Sequence, residues 1–417
     1  MKEYLKRTID DVLKEELEAF GAVLITGPKW CGKTTTAFQI AKSTLFMHDP
    51  NLKDNLIELA KLNVNELLKG DKPRLIDEWQ SAPELWDAIR FDIDQKGEEG
   101  LYILTGSTIV DESKISHSGA GRISRLNMRT MSLYETSHSN GAISLSNLFD
   151  GEHNISSQSK LGLEEYIDLI IRGGWPNTIN KSLNIAIRQI KGYVDIVCKS
   201  DIREIDGVQR DEIKTKAILK SLSRHISTSV ADTTILADLK ENDISMDIDT
   251  LRNYINVLKK LYIIEDLPAW STKLRSKSVI RLKNKRHFVD PAIGASLLNA
   301  NRKNLLGDLN TLGFLFESLV IRDLRIYSQY IDGNVSHYRD SSGLEADAVI
   351  QLDDGRWGAI EVKLGLQHVD DAARNLIKLE KLVEKNKPTF LAVITGTKYA
   401  YKREDGVLVI PIGCLRP

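Results

Sequence analysis

The sequence predicts an α/β protein of 417 residues with three consecutive regions. In residues 1–155, short apolar runs alternate with loops and helical stretches, a pattern typical of a mostly parallel sheet with helices on both faces. Residues 156–298 have mainly helical periodicity, and residues 299–417 return to strands alternating with helices. We therefore expect an α/β core, a helical middle and a compact C-terminal α/β domain.

The first region contains apolar strands and one long amphipathic helix. Residues 5–20 carry apolar side chains at helical intervals, and residues 22–26 form an apolar run that ends at a glycine. Further expected elements are a helix at 35–42 and buried strands at 44–47, 75–76 and 101–104. A stretch rich in Asp, Asn, Ser and Gly at 150–160 is expected to be a linker.

The middle region ends in a pattern typical of a winged helix. Amphipathic helices at 235–239 and 249–261 flank a polar turn, and strand-like stretches follow at 262–267 and 278–282. Helix, turn, helix and hairpin in this order indicate a relative of the helix-turn-helix. In the C-terminal region we expect helices at 313–327 and 370–385 and strands at 348–352, 357–362, 390–394 and 407–412.

Composition excludes several protein classes. The net charge of −1 gives no global field for nucleic acid or membrane, so any such contact needs a local patch. Three widely spaced cysteines form neither a zinc motif nor a disulfide framework, which fits a reducing cytoplasm. The N-terminus lacks the continuous apolar core of a signal peptide. Apolar runs stay far below the ~20 residues of a membrane span, so we expect a cytoplasmic protein without membrane contact.

The loop after the first strand has the spacing of a phosphate-binding loop. Its residues are Gly27, Pro28, Lys29, Trp30, Cys31, Gly32, Lys33 and Thr34, followed by Thr35, and they match GxxxxGK[ST] in full. The glycines let backbone N–H groups face phosphate oxygens, Lys33 places an ammonium on the β- and γ-phosphates, and Thr34 offers a hydroxyl to Mg²⁺. Because the motif lies between a predicted strand and a predicted helix, we expect ATP and Mg²⁺ binding rather than a chance glycine-rich turn.

Acidic and hydroxyl residues follow two other predicted strands. Asp77 is placed to hold Mg²⁺, and Glu78 is placed to polarise the attacking water. Alone, such a pair is usually a solvated strand end, but the loop on a neighbouring strand favours a catalytic interpretation. Ser107 or Thr108 is a candidate contact to the γ-phosphate or the water, with a strand-end turn as the alternative.

Arg122 is a candidate for stabilising transition-state charge on the γ-phosphate. An arginine often reaches that group from a neighbouring subunit, and in that case the protein is a homo-oligomer. A surface salt bridge is the alternative role for Arg122.

Several segments together resemble a known family. They are residues 27–36, 75–80, 104–107, 117–122, 172–176 and 288–290. They are similar to bacterial and archaeal AAA-type ATPases with a C-terminal domain called DUF4143, and the resemblance covers nearly the whole chain. It implies a P-loop AAA-type ATPase core at 1–155, a helical and winged-helix middle at 156–298, and a nuclease-like domain at 299–417. One departure is Cys31, which is expected to place an oxidisable thiol beside the phosphates.

Four residues of the C-terminal region resemble the core of the PD-(D/E)XK fold, a restriction-endonuclease-like α/β domain. Asp347 precedes Glu361 and Lys363, and strand alternation puts the last two on one face. In that fold, Asp and Glu hold a divalent metal and Lys positions or activates water. Glu317, on the preceding helix, is a further candidate ligand. The alternative is a surface ion pair between Glu361 and Lys363, and cleavage does not follow from the fold.

A basic segment lies where a wing would reach a nucleic-acid backbone. Between residues 272 and 287 there are seven Lys or Arg residues and no acidic residue. We treat Lys273 to Arg286 as a candidate DNA-binding patch, with a solvated hairpin or a face docked on an acidic neighbour as alternatives.

Three interpretations of the whole protein follow. The first is a Mg²⁺-dependent ATPase coupled to a nucleic-acid-binding, nucleolytic C-terminal domain. The second is an ATP-dependent regulatory switch whose C-terminal domain only binds a partner. The third is a DNA-binding structural module with an inert metal site.

Overall fold

The computed structural model describes residues 4–106, 118–204, 208–271 and 283–417. Three predicted features lie outside the described residues: the contact from Ser107 or Thr108, the basic residues from Lys273 to Arg281, and the strand at 278–282. The chain forms two compact units. The N-terminal unit runs to Thr130 and includes Ser200–Gln209 and Val257–Tyr262, and the C-terminal unit holds the rest. The middle and C-terminal regions of the sequence therefore share most of one unit.

The described helices are α1 Ile9–Ala19, α2 Lys33–Phe38, α3 Lys53–Asn63, α4 Glu84–Lys96, α5 Leu145–Phe149, α6 Leu163–Arg172, α7 Pro176–Ile179, α8 Leu183–Ile196, α9 Ile202–Glu204, α10 Glu212–Arg224, α11 Asp232–Lys240, α12 Ile248–Lys260, α13 Pro291–Leu297, α14 Arg302–Gly307, α15 Leu309–Tyr330 and α16 Val369–Leu382. The described strands are β1 Ala22–Thr26, β2 Ser43–Phe46, β3 Arg74–Asp77, β4 Tyr102–Thr105, β5 Ile123–Asn127, β6 Ile143–Ser144, β7 Ser157–Gln158, β8 Ile264–Leu267, β9 Lys285–Phe288, β10 Gly333–Arg339, β11 Glu345–Leu352, β12 Trp357–Lys363, β13 Phe390–Thr395, β14 Tyr399–Lys402, β15 Leu408–Pro411 and β16 Leu415–Arg416. Across these residues, no helix has both the length and the apolarity needed to cross a membrane.

The N-terminal unit is built on a five-stranded sheet with the order β2-β3-β4-β1-β5. All neighbouring strands are parallel, so the predicted α/β core with a parallel sheet is confirmed. Because the strands share one direction, the segments that follow β1, β3 and β4 emerge at the same edge of the sheet. That edge is where ligands bind in open α/β sheets.

Side-chain alternation along β1 supplies both halves of the N-terminal core. Val23 and Ile25 pack on the face covered by α1, together with Leu13. Ala22 and Leu24 face the opposite side and pack with the cluster around Trp86 on α4. Burying one such aliphatic side chain contributes about 1.5–3 kcal/mol, so the two layers hold β1 and the loop after it in a rigid frame.

Three predicted elements of this unit have different bounds or burial. α1 begins at Ile9, where the backbone N–H of Arg7 donates to the carboxylate of Asp10 at 2.8 Å and forms the turn before the helix. α2 begins at Lys33 and ends at Phe38. β2 is partly exposed rather than buried, because it is the edge strand of the sheet.

In the second half of the middle region, three helices precede two antiparallel strands. α10, α11 and α12 precede β8, and β8 pairs with β9 from Ile264 opposite Phe288 to Leu267 opposite Lys285. An isolated antiparallel bridge joins Thr228, between α10 and α11, to Arg286 on β9. Among the described residues, β9 is therefore the strand that pairs with β8.

The C-terminal unit contains a seven-stranded mixed sheet with the order β10-β11-β12-β13-β15-β14-β7. The predicted strands correspond to β11, β12, β13 and β15, and α16 packs on one face of the sheet. β10 and β14 were not predicted because their sequences are mostly polar or exposed. β7 lies in the expected linker and pairs with β14.

Buried ion pairs and hydrogen bonds connect residues 172–176 with residues 288–290, two of the segments that carry the family resemblance. Arg322 on α15 lies 3.1 Å from the carboxylate of Asp290 and 2.7 Å from that of Asp323. Asp290 also accepts a hydrogen bond from the backbone N–H of Gly174 at 2.9 Å, and Asp323 accepts one from Leu133 N–H at 2.9 Å. All three charged side chains are buried, so the segments at 172–176 and 288–290 contribute to packing.

Candidate functional site

The loop at 27–32 continues from β1 into α2 with a backbone that requires glycine at both ends. Gly27 has φ +144°, and a Cβ there would lie 2.0 Å from the carbonyl oxygen of Met128. Gly32 has φ +109° and precedes Lys33, the first residue of α2. Both angles lie in the left-handed region that side chains disfavour, so the loop can only form with glycine at these positions.

Lys33 is buried inside this loop. Its Nζ donates to the carbonyl oxygens of Gly27 and Pro28, both at 2.9 Å. An ammonium has three donors, and the loop carbonyls hold it in the concave side of the backbone turn. The positive charge therefore lies where the loop would enclose phosphate groups.

The carboxylate of Asp77, at the carboxyl end of β3, accepts hydrogen bonds from two threonine hydroxyls. Thr34 Oγ1 donates to Asp77 Oδ1 at 2.7 Å, and the hydroxyl of Thr105 donates to the same oxygen. Asp77 and Thr105 are directly opposite each other on β3 and β4. His48 Nδ1 approaches the other carboxylate oxygen at 3.5 Å. The hydroxyl of Thr34 and the carboxylate of Asp77 thus form the pair of groups that P-loop proteins offer to Mg²⁺.

Glu78 follows β3 in a left-handed conformation, with φ 54° and ψ 47°. A residue other than glycine rarely adopts these angles, and strain of this kind is concentrated at functional sites. The side-chain amide of Gln80 donates to the Glu78 carboxylate. A Cβ on Gly106, directly after β4, would lie 2.9 Å from the Gln80 amide oxygen, so Gly106 leaves space for this orienting contact.

The residues at the unspecified positions of the motif, and Thr35 after it, differ in their surroundings. Lys29 Nζ lies 2.8 Å from Asp201, a buried carboxylate at the end of the π-helical turn Val197–Asp201. Trp30 is 57% exposed, and Thr35 is exposed on α2. Cys31 is fully buried, and its thiol lies 3.6 Å from the carbonyl oxygen of Met128, so the expectation of an oxidisable thiol beside the phosphates is wrong.

Sequence reasoning missed Arg7 and Thr105. Arg7 donates to the carbonyl oxygen of Cys31 at 2.8 Å and to that of Arg129 at 2.9 Å, which braces the loop from the segment before α1. No local motif marks Arg7, since its contacts cross 24 and 122 residues. Thr105 could have been found from the sequence, because it is a hydroxyl residue at the end of the strand that follows the one carrying Asp77.

Arg122 lies at the amino ends of the strands, whereas the phosphate-binding loop lies at their carboxyl ends. It directly precedes β5, whose first residue pairs with Ala22 at the start of β1. Its Nε lies 2.8 Å from Asp94, and about half of the side chain is exposed. Arg122 is therefore in a surface salt bridge and does not reach the loop of its own subunit.

The C-terminal unit brings together the four predicted residues and one more. Lys363 Nζ lies 2.6 Å from Glu361 and 3.7 Å from Asp347. Lys285 on β9 places its Nζ 2.9 Å from Asp347 and 3.0 Å from Glu317. The Asp347 carboxylate also accepts the backbone N–H of Val362 at 2.9 Å. The cluster is thus an alternation of carboxylates and ammonium groups, which we call the lysine–carboxylate cluster: Lys285, Glu317, Asp347, Glu361 and Lys363.

Burial and the two lysines set the acidities in this cluster. Burial raises the pKa of Glu317 and of Glu361 to about 8, with the negative charge of Asp347 as the next cause in each case. For Asp347, burial acts upward, but Lys285, Lys363 and the hydrogen bond from Val362 lower its pKa to about 2. The two ammonium groups therefore favour the ionised form of Asp347 over that of its two neighbouring carboxyl groups.

These contacts differ from the predicted metal site. Within the described ranges, no group of three Asp, Glu, His or Cys side chains is arranged to hold a metal ion. The metal was expected at Glu317, Asp347 and Glu361, and the ammonium of Lys285 lies between two of these carboxylates, Glu317 and Asp347. Two residues of the candidate DNA-binding patch contact acidic side chains of the protein itself. Lys285 contacts Glu317 and Asp347, and Arg286 lies 2.7 Å from Asp232.

Three family models match consecutive parts of the chain. Residues 19–137 match an AAA domain, residues 163–304 match a domain of unknown function termed DUF8612, and residues 312–415 match the domain of unknown function DUF4143. The AAA match contains the loop, Asp77 and Glu78, and the DUF4143 match contains Glu317, Asp347, Glu361 and Lys363. A comparison with curated proteins finds no match.

Solved structures give distant likenesses. The Walker-type ATPase paby2304 of Pyrococcus abyssi is 13% identical, with 71% of this chain and 96% of that chain covered and a TM-score of 0.43. A RuvB variant of Thermotoga maritima is 18% identical, with 70% and 94% covered and a TM-score of 0.28. Protein VC1899 from Vibrio cholerae is 11% identical, with 94% of each chain covered and a TM-score of 0.18.

Proposed function

We propose that this protein is a Mg²⁺-dependent ATPase. The observation that carries the proposal is the meeting of Lys33, Thr34, Asp77 and Glu78 at one edge of a parallel sheet, with Thr34 Oγ1 2.7 Å from Asp77. The match of residues 19–137 to an AAA domain supports it. The fixed loop geometry and the strained Glu78 backbone are features that a chance glycine-rich turn would not need.

The residues divide the work of phosphoryl transfer. Bound Mg²⁺ would neutralise charge on the β- and γ-phosphates. Thr34 and Asp77 fit that ion because a P-loop site holds it with one hydroxyl and one carboxylate together with phosphate oxygens. Lys33 supplies a further positive charge from the loop. Glu78, oriented by Gln80, accepts the proton of the attacking water.

Replacing Lys33 tests the phosphate-binding role. We expect Lys33→Ala to lose most ATP binding and Mg²⁺-dependent phosphate release, because the buried ammonium is removed from the loop. Lys42→Ala is a matched control, since it removes an exposed lysine of the same unit. Equal turnover in the wild type and Lys33→Ala would reject the assignment.

We further propose that Arg122 acts on a neighbouring copy of the chain. Two observations support this proposal: Arg122 lies at the end of the strands opposite the loop, and about half of its side chain is exposed. In a ring or dimer, the amino ends of the strands in one copy could face the phosphate-binding loop of the next copy. Arg122 would then stabilise charge on the γ-phosphate bound by that copy. Asp94 would then release it on assembly.

For the rest of the chain, a partner-binding domain controlled by ATP is the second proposal. The observation that favours it over cleavage is Lys285, which lies among the carboxylates that a metal-dependent nuclease would use. Nucleic acid is one candidate partner, because three helices, the paired strands β8 and β9 and the Thr228 bridge have the order of a winged helix.

DNA binding can be tested by its dependence on salt. Backbone contacts by lysine and arginine make affinity fall steeply as salt rises. Lys283→Ala should flatten that slope if this side chain contacts phosphate. Lys259→Ala on α12 tests the helix in the same way. DNA affinity without salt dependence would reject a nucleic-acid role and leave a protein partner.

A further inference from the structure

Lys285 occupies the point in the C-terminal unit where a shared cation would lie. Its Nζ contacts Glu317 on α15 and Asp347 on β11 at 3.0 and 2.9 Å. The Lys285 side chain is 10% exposed, and the two carboxylate side chains are 12% and 11% exposed. We infer that Lys285 is a built-in counter-ion that closes a latent divalent-cation site, so that the unit works without a metal.

Charge balance supports this inference. The lysine–carboxylate cluster holds three carboxyl groups and two ammonium groups, and Lys363 lies 2.6 Å from Glu361 and 3.7 Å from Asp347. Lys285 is the ammonium that contacts both Glu317 and Asp347. A divalent ion placed beside Lys285 would meet a positive charge in a buried site, and such repulsion is strong where the dielectric constant is low.

Distance explains why the acidic side chains form no ready metal site. Oxygen ligands lie about 2.0–2.6 Å from Mg²⁺ or Ca²⁺. Lys285 holds its two carboxylate oxygens at 2.9 and 3.0 Å, which is wider than a metal would draw them. Lys285 therefore holds both carboxylate oxygens at hydrogen-bonding distance rather than at metal-coordinating distance.

Lys285 is also anchored against leaving the cluster. It opposes Leu267 in the β8–β9 ladder, so its backbone position is fixed by strand pairing. Its side chain would lose both carboxylate partners if a metal displaced it, and leaving a buried charge unpaired is strongly destabilising. The consequence is that water activation by a bound metal is not available to this unit.

The test compares divalent-cation binding by full-length variants. All carry Asp77→Asn, which removes the Mg²⁺ carboxylate of the ATPase site, and Mn²⁺ is titrated without nucleotide by electron paramagnetic resonance. Lys285→Met keeps the length of the side chain but removes its charge. We expect no Mn²⁺ bound at the cluster with Lys285 present, and a gain of about tenfold or more in affinity with Lys285→Met, since one nearby charge shifts such equilibria by one to three powers of ten.

Two controls locate the effect. Adding Asp347→Asn to Lys285→Met should abolish the new site. Lys363→Met removes the other ammonium of the same cluster but leaves Lys285 between its carboxylates, so it should not produce the gain.

Three results would overturn the inference. The first is Mn²⁺ binding with Lys285 present that Asp347→Asn removes, a comparison that needs no Lys285 variant and holds even if Lys285→Met does not fold. The second is a folded Lys285→Met protein without new binding. The third is equal gain in Lys363→Met, which would make net charge, rather than the position of Lys285, the cause. None of these results depends on ATP turnover.

Discussion

Replacing Thr105 by valine tests whether the hydroxyl opposite Asp77 contributes to ATP turnover. Thr105 is 1% exposed, and its hydroxyl donates a hydrogen bond to Asp77 Oδ1, the same oxygen that accepts one from Thr34. Valine has almost the same size, so the substitution removes one hydrogen bond and little else. We expect Asp77 to lose part of its orientation while the phosphate-binding loop stays intact.

The magnitude follows from the kind of hydrogen bond that is lost. A hydrogen bond to a charged group contributes about 1.5–3 kcal/mol. If that contribution is realised in the transition state, kcat falls roughly 10- to 150-fold. ATP affinity should change little, because Lys33 and the loop backbone are not altered.

The assay is steady-state phosphate release at saturating ATP and Mg²⁺, with nucleotide affinity measured separately. Thr44→Val is the matched control, because Thr44 lies on the edge strand β2 of the same sheet. Unchanged kcat in Thr105→Val, or an equal loss in Thr44→Val, would refute the role assigned to the Thr105 hydroxyl.

Three further predictions address the loop, the fold and assembly. Gly27→Ala should abolish nucleotide binding in a titration, since its Cβ would overlap a backbone carbonyl, whereas Gly192→Ala has open space and should bind normally. Arg322→Met leaves buried carboxylates unpaired and should lower the free energy of unfolding by about 3–5 kcal/mol in a denaturant titration, and a loss below ~1 kcal/mol would contradict this account. Mixing Arg122→Ala with Lys33→Ala should restore some turnover if Arg122 acts across an interface. No recovery in a protein shown to oligomerise would count against that arrangement.

Local sequence patterns predicted the parallel core and located the segments proposed to be catalytic, because each of these patterns spans only a few residues. The loop at 27–34 needs glycine at fixed positions for steric reasons, and strand alternation places Glu361 beside Lys363. Apolar runs also located most strands of both sheets. Among the strands that were missed, β10 and β14 are largely polar or exposed, so they lacked the apolar signal of a buried strand.

The interactions that change the functional picture depend on tertiary contacts. Lys285 meets Asp347 across 62 residues, and Lys29 meets Asp201 across 172 residues. In the sequence, Lys285 belongs to a basic run that suggests exposure and DNA contact. In the structure Lys285 lies on β9, which pairs with β8, and its ammonium contacts Glu317 and Asp347, partners that the charge pattern does not reveal.

The most direct test of the ATPase proposal is turnover by Glu78→Gln. Glutamine keeps the size of the side chain and its contact with Gln80 but cannot accept the proton of water. Loss of a general base typically costs about 10²–10⁴-fold in rate. Glu84→Gln is the matched control, because Glu84 is an exposed acid in the first turn of α4.

The measurement is phosphate release and ATP binding on the same samples of the wild type, Glu78→Gln and Glu84→Gln. The proposal predicts that Glu78→Gln binds ATP with wild-type affinity and releases phosphate at least about a hundredfold more slowly, while Glu84→Gln behaves as the wild type. Wild-type turnover in Glu78→Gln, or no Mg²⁺-dependent turnover in the wild type, would contradict it.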